Sequence, residues 1–359
     1  MLEIHHSPYR RFIGSGRRGW LVVFVVLVLA AIAGVALIVG YQWALRPVAA
    51  DDTGVVRFTV ESGQGSAQIA AKLKEVGLIR SQTAFRLYTS LTDTKQKLQA
   101  GGYALKRSMS VSEIVEHMSS GKTDEIAVTI LPGLSLTRLS DPARQGSLAV
   151  QGFSQDELDQ AFAAVYDHPL LRDKPAEVGL DGYIYPETYQ VMADSDATSL
   201  VRRSFDEFYQ VLQQQRIVER LAERQLTLHQ GLTLASIIQQ EVSDSQVQKQ
   251  VAQVFLKRLA EGMPLGSDPT FIYAAERDDQ TPTINYDSPY NTRRYGGLPP
   301  GPIGTFNLSA LLAVIEPADG DYLYFAAGDD GVTRFARTLE EHEQNVAQYG
   351  QGERSRFSY

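Results

Sequence analysis

The first hydrophobic segment of the chain is also its longest. The segment "WLVVFVVLVLAAIAGVALIVGYQW" carries no charge and no strongly polar side chain from Leu21 to Gly40. A helix of about 20 such residues is long enough to cross the hydrocarbon core of a bilayer. The pattern predicts a single transmembrane helix over residues 20–41, with Trp20 at one interface and Tyr41 and Trp43 at the other.

The flanks of this helix predict its orientation. Residues 1–19 are expected to form a cytoplasmic tail, because short cytoplasmic segments are rich in basic residues, here Arg10, Arg11, Arg17 and Arg18. Residues 42–54 are predicted to be a linker outside the cytoplasm. The alternative is a cleaved signal peptide, but the apolar run is longer than a signal core and no A-x-A site closes it neatly.

Shorter apolar repeats after the linker predict a small α/β unit over residues 55–124. Alternation in "VVRFTV" predicts a strand, and three- and four-residue spacing in "AQIAAKLKEVG" predicts a helix that ends at Gly77. A second helix is expected over residues 81–91. A third begins at a capping box formed by Ser110 and Glu113.

Residues 125–350 predict a larger α+β unit, so the fold class of the whole chain is α+β. The segment "IAVTIL" predicts a strand, and two further capping boxes begin helices, at Ser154 and at Thr338. The segment "TSLVRRSFDEFYQVLQQQRIVERLAERQ" predicts one long amphipathic helix. The segment "DYLYFAAGDDGVTRFAR" predicts a hairpin, and residues 351–359 are expected to be a frayed tail.

Composition removes several function classes. The net charge is -8, so there is no general positive field, and nucleic acid is not an expected partner. The chain has no cysteine, which excludes thiol nucleophiles and thiolate metal sites. Its six histidines are scattered without metal-ligand spacing. We therefore expect no metal site and no cofactor.

The segment "LASIIQQEVSD" contains the main candidate for a catalytic residue. At helical spacing Glu241 falls between Ile237 and Ile238, on the apolar stripe and away from the polar face. Burial against apolar side chains raises a carboxyl pKa, as a general acid at a glycosidic oxygen requires. The alternatives are a glutamate that pairs with Lys257 or Arg258, or one that lies in water at a helix end.

Two segments further along could contribute binding groups. Asp268 followed by Pro269 is the expected N-cap and N1 pair of a helix. The segment "SPYNTRRYGGLPPGPIG" is stiff and extended, and can line a groove. Just before its glycines and prolines stand side chains that suit sugars, namely Tyr290, Asn291, Arg293 and Tyr295. An ordinary surface turn is the alternative.

Five motifs together resemble one family. "LDGYIYPETY", "LASIIQQEV", "VFLKRLAEGMPLGSDPTFIYA", "YNTRRYGGLPPGPI" and "DYLYFAAGDDGVTRFARTLEEHEQNV" are similar, in this order, to the membrane-anchored endolytic murein transglycosylases, also called YceG-like proteins. The resemblance covers most of residues 126–347. It implies that the small unit is a LysM-like domain and that residues 125–350 form the catalytic domain.

The resemblance implies a reaction and a catalytic residue. The family cuts the β-1,4 bond between N-acetylmuramic acid and N-acetylglucosamine without water, leaving a 1,6-anhydro ring. Its catalytic acid maps onto Glu241, and a second glutamate that the family often carries maps onto Gln239 here. The candidate substrate-binding residues are Tyr189, Asp268, Tyr290, Asn291, Arg293 and Tyr295.

The resemblance also implies a location and partners. The protein is expected in the bacterial inner membrane as a single-pass protein, with its catalytic domain in the periplasm. Nascent peptidoglycan glycan strands are the expected substrate, and penicillin-binding synthases are candidate partners. A role in terminating glycan elongation follows from an anchor that holds the enzyme near the site of polymerisation.

Two other functions stay open from the sequence. A muramidase would cut the same bond with water and needs a second working carboxylate, for which Asp244 and Asp268 are the nearby candidates. A non-enzymatic scaffold would bind peptidoglycan through the LysM-like unit. We expect that Asp268 caps its helix while Tyr290, Asn291 and the "GLPPGPIG" loop bind glycan, so Asn291→Ala should weaken substrate handling without unfolding the domain.

Overall fold

A computed structural model describes residues 16–350, with side chains from residue 20 onward. The first helix, α1, runs Gly16–Leu45. Within the described part of the chain, Trp20–Leu45 is the one helix long and apolar enough to span a membrane. It continues past the predicted end at residue 41, so the linker is shorter than expected. Most of the predicted cytoplasmic tail and all of the tail over 351–359 lie outside the described residues.

The chain divides into two compact units between Asp124 and Glu125. The first unit contains α1 and a small α/β core. The elements of this core are β1 (Val55–Val60), α2 (Ser66–Glu75), α3 (Gln82–Leu91), β2 (Gly101–Lys106) and α4 (Val111–Ser119). Strands β1 and β2 are antiparallel, with Val55 opposite Lys106 and Val60 opposite Gly101.

Local signals in the sequence account for the helix ends of this small unit. The capping box of Ser110 and Glu113 is present at the start of α4, as predicted. Gly77 follows α2 with φ of 72°, a left-handed conformation that glycine adopts without a Cβ penalty. The three helices pack apolar side chains against the two strands, including Ile69, Leu73, Phe85 and Ile114.

The second unit is larger and mostly helical. Its elements are β3 (Glu125–Thr129), α5 (Leu136–Ser140), α6 (Gln155–Ala163), β4 (Thr188–Met192), α7 (Ala197–Gln214), α8 (Ile217–Glu223), α9 (Leu228–Glu241), α10 (Ser245–Ala260), α11 (Asp268–Arg277), α12 (Leu308–Ile315), β5 (Tyr324–Ala327), β6 (Thr333–Ala336) and α13 (Leu339–Tyr349). Strand β3 is antiparallel to β4, and β5 is antiparallel to β6. The predicted α+β class, the hairpin and the two capping boxes are confirmed.

One prediction for this unit is wrong, because the long amphipathic helix is two helices. Arg216 takes a left-handed conformation with φ of 51°, which ends α7 and starts α8. Leu212 is buried, and the residue four positions on is the polar Arg216, whereas the next apolar residue is Ile217. The break turns Ile217 and Leu221 back into the core, where both are fully buried.

Helix α9 lies in the middle of the second unit. It contacts α8, α10, α11 and α12. A capping box of Thr227 and Gln230 begins it, and every residue from Gly231 to Ile238 is buried. Only its last turn approaches the surface, so the residue that ends the helix, Glu241, lies where a buried helix meets solvent.

Candidate active site

The end of α9 opens into a cleft of about 360 Å³. The cleft is bounded by α9, α10, the loop before α11, the β5–β6 hairpin and α13. The residues that line it are Glu241, Arg258, Met263, Pro264, Leu265, Gly266, Asp268, Arg293, Tyr324, Phe325, Leu339 and His342. Glu241 is thus at the place that the sequence predicts, next to fully buried Ile237 and Ile238 and with its carboxyl facing a cleft.

A serine holds the Glu241 carboxyl. Ser267 Oγ donates a hydrogen bond of 2.5 Å to Glu241 Oε1. Ser267 is the N-cap residue of α11, but its side chain does not cap that helix. Since serine at this position ordinarily bonds the backbone of the first turn, its hydroxyl serves the carboxyl instead of the helix.

Ser267 is itself held by buried threonines. Its backbone N–H donates to Thr292 Oγ1 at 3.0 Å, and Thr270 Oγ1 donates to its carbonyl oxygen at 2.6 Å. The Gly266 N–H donates to the Thr292 carbonyl oxygen at 3.0 Å. All three side chains, of Ser267, Thr270 and Thr292, are buried. The position of the hydroxyl against Glu241 is therefore set by a rigid, fully hydrogen-bonded loop.

Two arginines bring positive charge to the cleft. Arg293 Nε donates to Asp268 Oδ1 in an ion pair with both side chains mostly buried. Arg258 donates from Nε to the Leu323 carbonyl oxygen at 2.6 Å and from Nη1 to the Leu265 carbonyl oxygen at 2.7 Å. These two bonds fasten α10 to the hairpin and to the loop before α11, and they place the Arg258 charge beside Glu241.

The electrostatic balance favours a protonated Glu241 near neutral pH. Burial, joined by the neighbouring charge of Asp268, raises the pKa of Glu241 to about 7. The Ser267 hydrogen bond and the charges of Arg293 and Arg258 act in the opposite direction. Burial also raises the pKa of Asp268, against the effect of Arg293. Glu241 can therefore donate a proton near pH 7 and take one back.

The other carboxyls near Glu241 have structural partners. Asp268 is the first residue of α11, and its carboxylate pairs with Arg293, so the prediction that it caps this helix is wrong. Asp244 is exposed and caps α10 by accepting from the N–H groups of Gln246 at 2.9 Å and Val247 at 3.0 Å. Among the described residues that line the cleft, Glu241 is the carboxyl not paired with an arginine.

Contacts answer the pairing alternatives for Glu241, whereas the alternative of a helix end is partly met, because Glu241 is the last residue of α9 and is partly exposed. Lys257 donates to the Asp321 carbonyl oxygen at 2.6 Å instead of pairing with Glu241. Arg258 acts on Glu241 through its charge while its hydrogen bonds go to backbone oxygens. Gln239, at the position of the family's second glutamate, accepts from the Asn307 N–H at 3.0 Å, just before α12.

Two residues predicted to contact sugars are buried instead. Asn291 donates from Nδ2 to the carbonyl oxygens of Ile284 at 2.9 Å and Tyr286 at 2.8 Å, and its Oδ1 accepts from the Arg293 N–H. Tyr290 is buried beside Tyr273, with ring centroids 5.1 Å apart. The prediction that these residues bind glycan is corrected, because Asn291 shapes the loop that carries Arg293 and Tyr290 belongs to the core.

The remaining predicted residues fall into three groups. Arg293 and Asp268 lie in the cleft with Glu241. Tyr189 is buried and donates to the Tyr185 carbonyl oxygen at 2.9 Å, so its assignment to substrate is corrected. Tyr295 is exposed and donates to Asp287 Oδ1 at 2.6 Å, away from the residues that line the cleft.

The glycine- and proline-rich segment also differs from its prediction. Residues 301–306 are buried, and the segment packs on α9 instead of lining the cleft. Ser236 Oγ accepts from the Ile303 N–H at 3.0 Å, and His229 Nε2 lies 2.8 Å from the Pro300 carbonyl oxygen. The absence of side-chain bulk at Gly301 matters here, since a Cβ would lie 2.5 Å from Val178. The segment supports α9 on the side away from the cleft.

Sequence reasoning missed one wall of the cleft. Tyr324 of β5 and His342 of α13 line it, and their rings stack with centroids 5.4 Å apart. The Arg258 guanidinium lies over the Tyr324 ring at 5.2 Å. The sequence motif that contains Tyr324 and His342 does not by itself reveal that these residues lie in the same cleft as Glu241. Their position there depends on contacts between segments about 65 residues apart in sequence.

The fold and the cleft together define a class of protein. It is an α+β protein with an amino-terminal apolar helix and a cleft. In the cleft, the carboxyl of Glu241 has a pKa of about 7 and can donate or accept a proton. Within residues 16–350 the structure has no group of three carboxylate or histidine side chains that could hold a metal ion.

Comparison with known proteins identifies the family. The chain belongs to the YceG-like family, whose model matches residues 58–348. This confirms the resemblance seen in the motifs. The structure is similar to a solved yceG-like protein from Listeria monocytogenes, with a TM-score of 0.54 and 27% identity over 81% of this chain and 98% of that one.

Curated relatives carry a common name. A protein of Bacillus subtilis named endolytic murein transglycosylase is 29% identical in an alignment 319 residues long that covers 85% of this chain and 88% of that protein. A protein of the same name from Streptococcus pneumoniae is 28% identical in an alignment 361 residues long, gaps included, that covers 91% of this chain. The chain spans 65% of the length of this streptococcal relative.

Proposed function

We propose that this protein is an endolytic lytic transglycosylase of peptidoglycan. It cuts the β-1,4 bond between N-acetylmuramic acid and N-acetylglucosamine within a glycan strand and leaves a 1,6-anhydro end. The observation that carries the proposal is Glu241, a carboxyl in a cleft with a pKa of about 7 and no free second carboxylate beside it. The names of the relatives support the same substrate.

One carboxyl is sufficient for this reaction when the substrate supplies the nucleophile. Glu241 first gives its proton to the glycosidic oxygen while positive charge develops at C1 of the muramic acid. The resulting carboxylate then takes the proton of the C6 hydroxyl, whose oxygen bonds to C1 and closes the anhydro ring. Because Ser267 engages Oε1, Oε2 is the oxygen that carries the transferred proton.

The neighbours of Glu241 assist both steps. Burial keeps the carboxyl protonated before the first transfer, whereas Arg258 and Arg293 stabilise the carboxylate that the first transfer produces. Ser267 keeps the carboxyl in one orientation through both steps. Asp268 holds Arg293 in place, and this pairing argues against Asp268 as a nucleophile or a water activator.

The apolar helix supports a location for the reaction. We propose that α1 anchors the protein in the bacterial inner membrane, with residues 1–19 cytoplasmic and with the small α/β core and the second unit periplasmic. Anchored there, the enzyme meets new glycan strands and terminates their elongation. Penicillin-binding synthases are the proposed partners in this setting, and the small unit is proposed to be LysM-like.

Product analysis tests the proposal. Full-length protein and its Glu241→Gln variant are incubated with purified peptidoglycan, and the released glycans are analysed by mass spectrometry. We expect 1,6-anhydro ends from the wild type and a rate about 10²–10⁴-fold lower from the variant, the usual contribution of general acid–base catalysis. The matched control is Glu207→Gln, an exposed carboxyl on α7 that should retain full activity.

Two results would reject this function, and each points to an alternative. Free reducing ends in place of anhydro ends would mean that water attacks C1, as in a muramidase. Equal cleavage by the wild type and Glu241→Gln would remove Glu241 from the chemistry. If neither protein cleaves any substrate, the scaffold role gains.

A further inference from the structure

The chain that leaves α1 is fastened to the small unit. Arg80, which follows α2, donates to the Pro47 carbonyl oxygen from Nε at 3.0 Å and from Nη2 at 2.6 Å. Its Nη2 also donates to the Val48 carbonyl oxygen at 3.0 Å. The same guanidinium lies 4.5 Å from the centroid of the Trp43 ring on α1. One side chain thus joins the end of α1, the following segment and the small unit.

Further contacts continue along the segment. The Ala49 N–H donates to the Arg107 carbonyl oxygen at 3.1 Å, and Arg107 pairs with Asp52 at 3.2 Å. Helix α1 also contacts α3 directly. The small unit therefore cannot swing freely about the end of α1, and the direction of α1 determines which face of the unit lies nearest the bilayer.

Helix α3 carries an exposed apolar patch next to the end of α1. Leu87 is 45% exposed and Leu91 is 70% exposed, and as i and i+4 residues they lie on one side of the helix. Tyr88 lies beside them, and Tyr88 and Leu91 form a groove with Tyr41 and Leu45 of α1. We call Leu87, Tyr88 and Leu91 the α3 patch. The sequence of α3, "QTAFRLYTSL", has no carboxylate, and Arg86 is its charged residue.

We propose that the α3 patch rests in the headgroup region of the bilayer that α1 crosses. Tyr41 and Trp43 mark the level at which α1 leaves the hydrocarbon core. Leu91 lines one groove with Tyr41 and Leu45, which places it near this level. Exposed leucines beside a tyrosine and an arginine, without carboxylates, suit the boundary between acyl chains and lipid phosphates.

This inference goes beyond the proposed reaction and depends only on its membrane anchor. The small unit becomes a part of the anchor: α1 and α3 hold it at two places, and it lies on the membrane instead of extending from it on a tether. We assign the bilayer as the partner of the patch because the patch is continuous with the surface of α1, the helix that enters the bilayer.

The lack of cysteine makes a direct test possible. Single-cysteine variants of the full-length protein are labelled with an environment-sensitive fluorophore and reconstituted in vesicles, with or without lipids that carry a nitroxide quencher in the headgroup region. Leu91→Cys reports on the α3 patch, and Ile32→Cys reports on the middle of α1. Ser62→Cys is the matched control, exposed on the small unit in the turn after β1.

The proposal predicts blue-shifted emission and strong quenching at position 91, several-fold greater than at position 62. If position 32 is in an apolar environment but quenching at position 91 is no greater than at position 62, the α3 docking is wrong and the membrane anchor stands. A polar environment at position 32 would overturn the anchor and the docking together. Thermal unfolding of each labelled protein, followed by circular dichroism, shows that it is folded. This control holds whether or not the proposed reaction is correct, so failure of the docking and failure of the reaction are distinguishable.

Discussion

The raised pKa of Glu241 predicts a stability difference that does not depend on any substrate. A carboxyl whose pKa rises from 4.5 in the unfolded chain to about 7 in the folded chain binds its proton more tightly when folded. Below pH 4.5 the Glu241 carboxyl is neutral in both the folded and the unfolded chain, so it does not lower the free energy of unfolding. As the pH rises towards 7, the unfolded chain loses this proton more readily than the folded chain, and the free energy of unfolding falls. Above pH 7 the free energy of unfolding stays lower by the full amount.

The magnitude follows from the pKa difference. A rise from 4.5 to about 7 corresponds to about 3 kcal/mol of lost stability above pH 7, at about 1.36 kcal/mol per pH unit. Glutamine has the same shape, accepts the same hydrogen bond from Ser267 and has no charge to bury. Glu241→Gln should therefore be about equal to the wild type near pH 4 and about 3 kcal/mol more stable near pH 8.

Scanning calorimetry between pH 4 and 8 measures this difference. For a unit of this size, about 3 kcal/mol corresponds to a gain of about 6–12 °C in melting temperature. Tryptophan fluorescence is unsuitable, since Trp20 and Trp43 are the two tryptophans and both lie in α1. Glu207→Gln controls for the change of an exposed carboxyl. If the wild-type and Glu241→Gln curves run parallel from pH 4 to 8, the carboxyl is not penalised by burial and the reasoning is wrong.

Three further predictions concern the neighbours of Glu241. Ser267→Ala removes a bond that lowers the pKa of Glu241, so the alkaline limb of the pH–rate profile should move to higher pH; an unchanged limb would contradict this contact. Arg293→Met should move that limb in the same direction and lower thermal stability, because Asp268 loses its partner; calorimetry and pH profiles test both effects. Asn291→Ala should cost about 1–3 kcal/mol, measured by denaturant unfolding, because two partly buried carbonyl oxygens lose their donor, whereas the KM of the folded protein should be unchanged.

Local patterns predicted most of the elements and made Glu241 a candidate. The capping boxes at Ser110, Ser154 and Thr338 are confirmed because each depends on residues within one turn. Helical spacing placed Glu241 between Ile237 and Ile238, which the structure buries, but it left a charge pair or a helix end in water open. The choice of Glu241 as the candidate catalytic acid came from the resemblance to the YceG-like family.

Features that depend on distant contacts could not be predicted in this way. Nothing local distinguishes Asn291 as a sugar donor from Asn291 as a bridge between backbone carbonyls, because the same amide serves both. Ser267 looks like an ordinary N-cap until Glu241, 26 positions earlier, is seen to take its hydroxyl. The left-handed Arg216 is likewise selected by the burial of Ile217 and not by its own propensity.

A single carboxyl in two roles places opposite demands on its surroundings. As an acid it must hold a proton before reaction, and as a base it must exist as an anion a moment later, so a pKa far from the ambient pH would slow one of the two steps. Burial and Asp268 raise the pKa of Glu241, while Ser267, Arg293 and Arg258 lower it. Because Arg293 is the partner of Asp268, removing either one disturbs both sides of this balance. In the proposed reaction, the arginines of the cleft would therefore matter for the second step as much as burial does for the first.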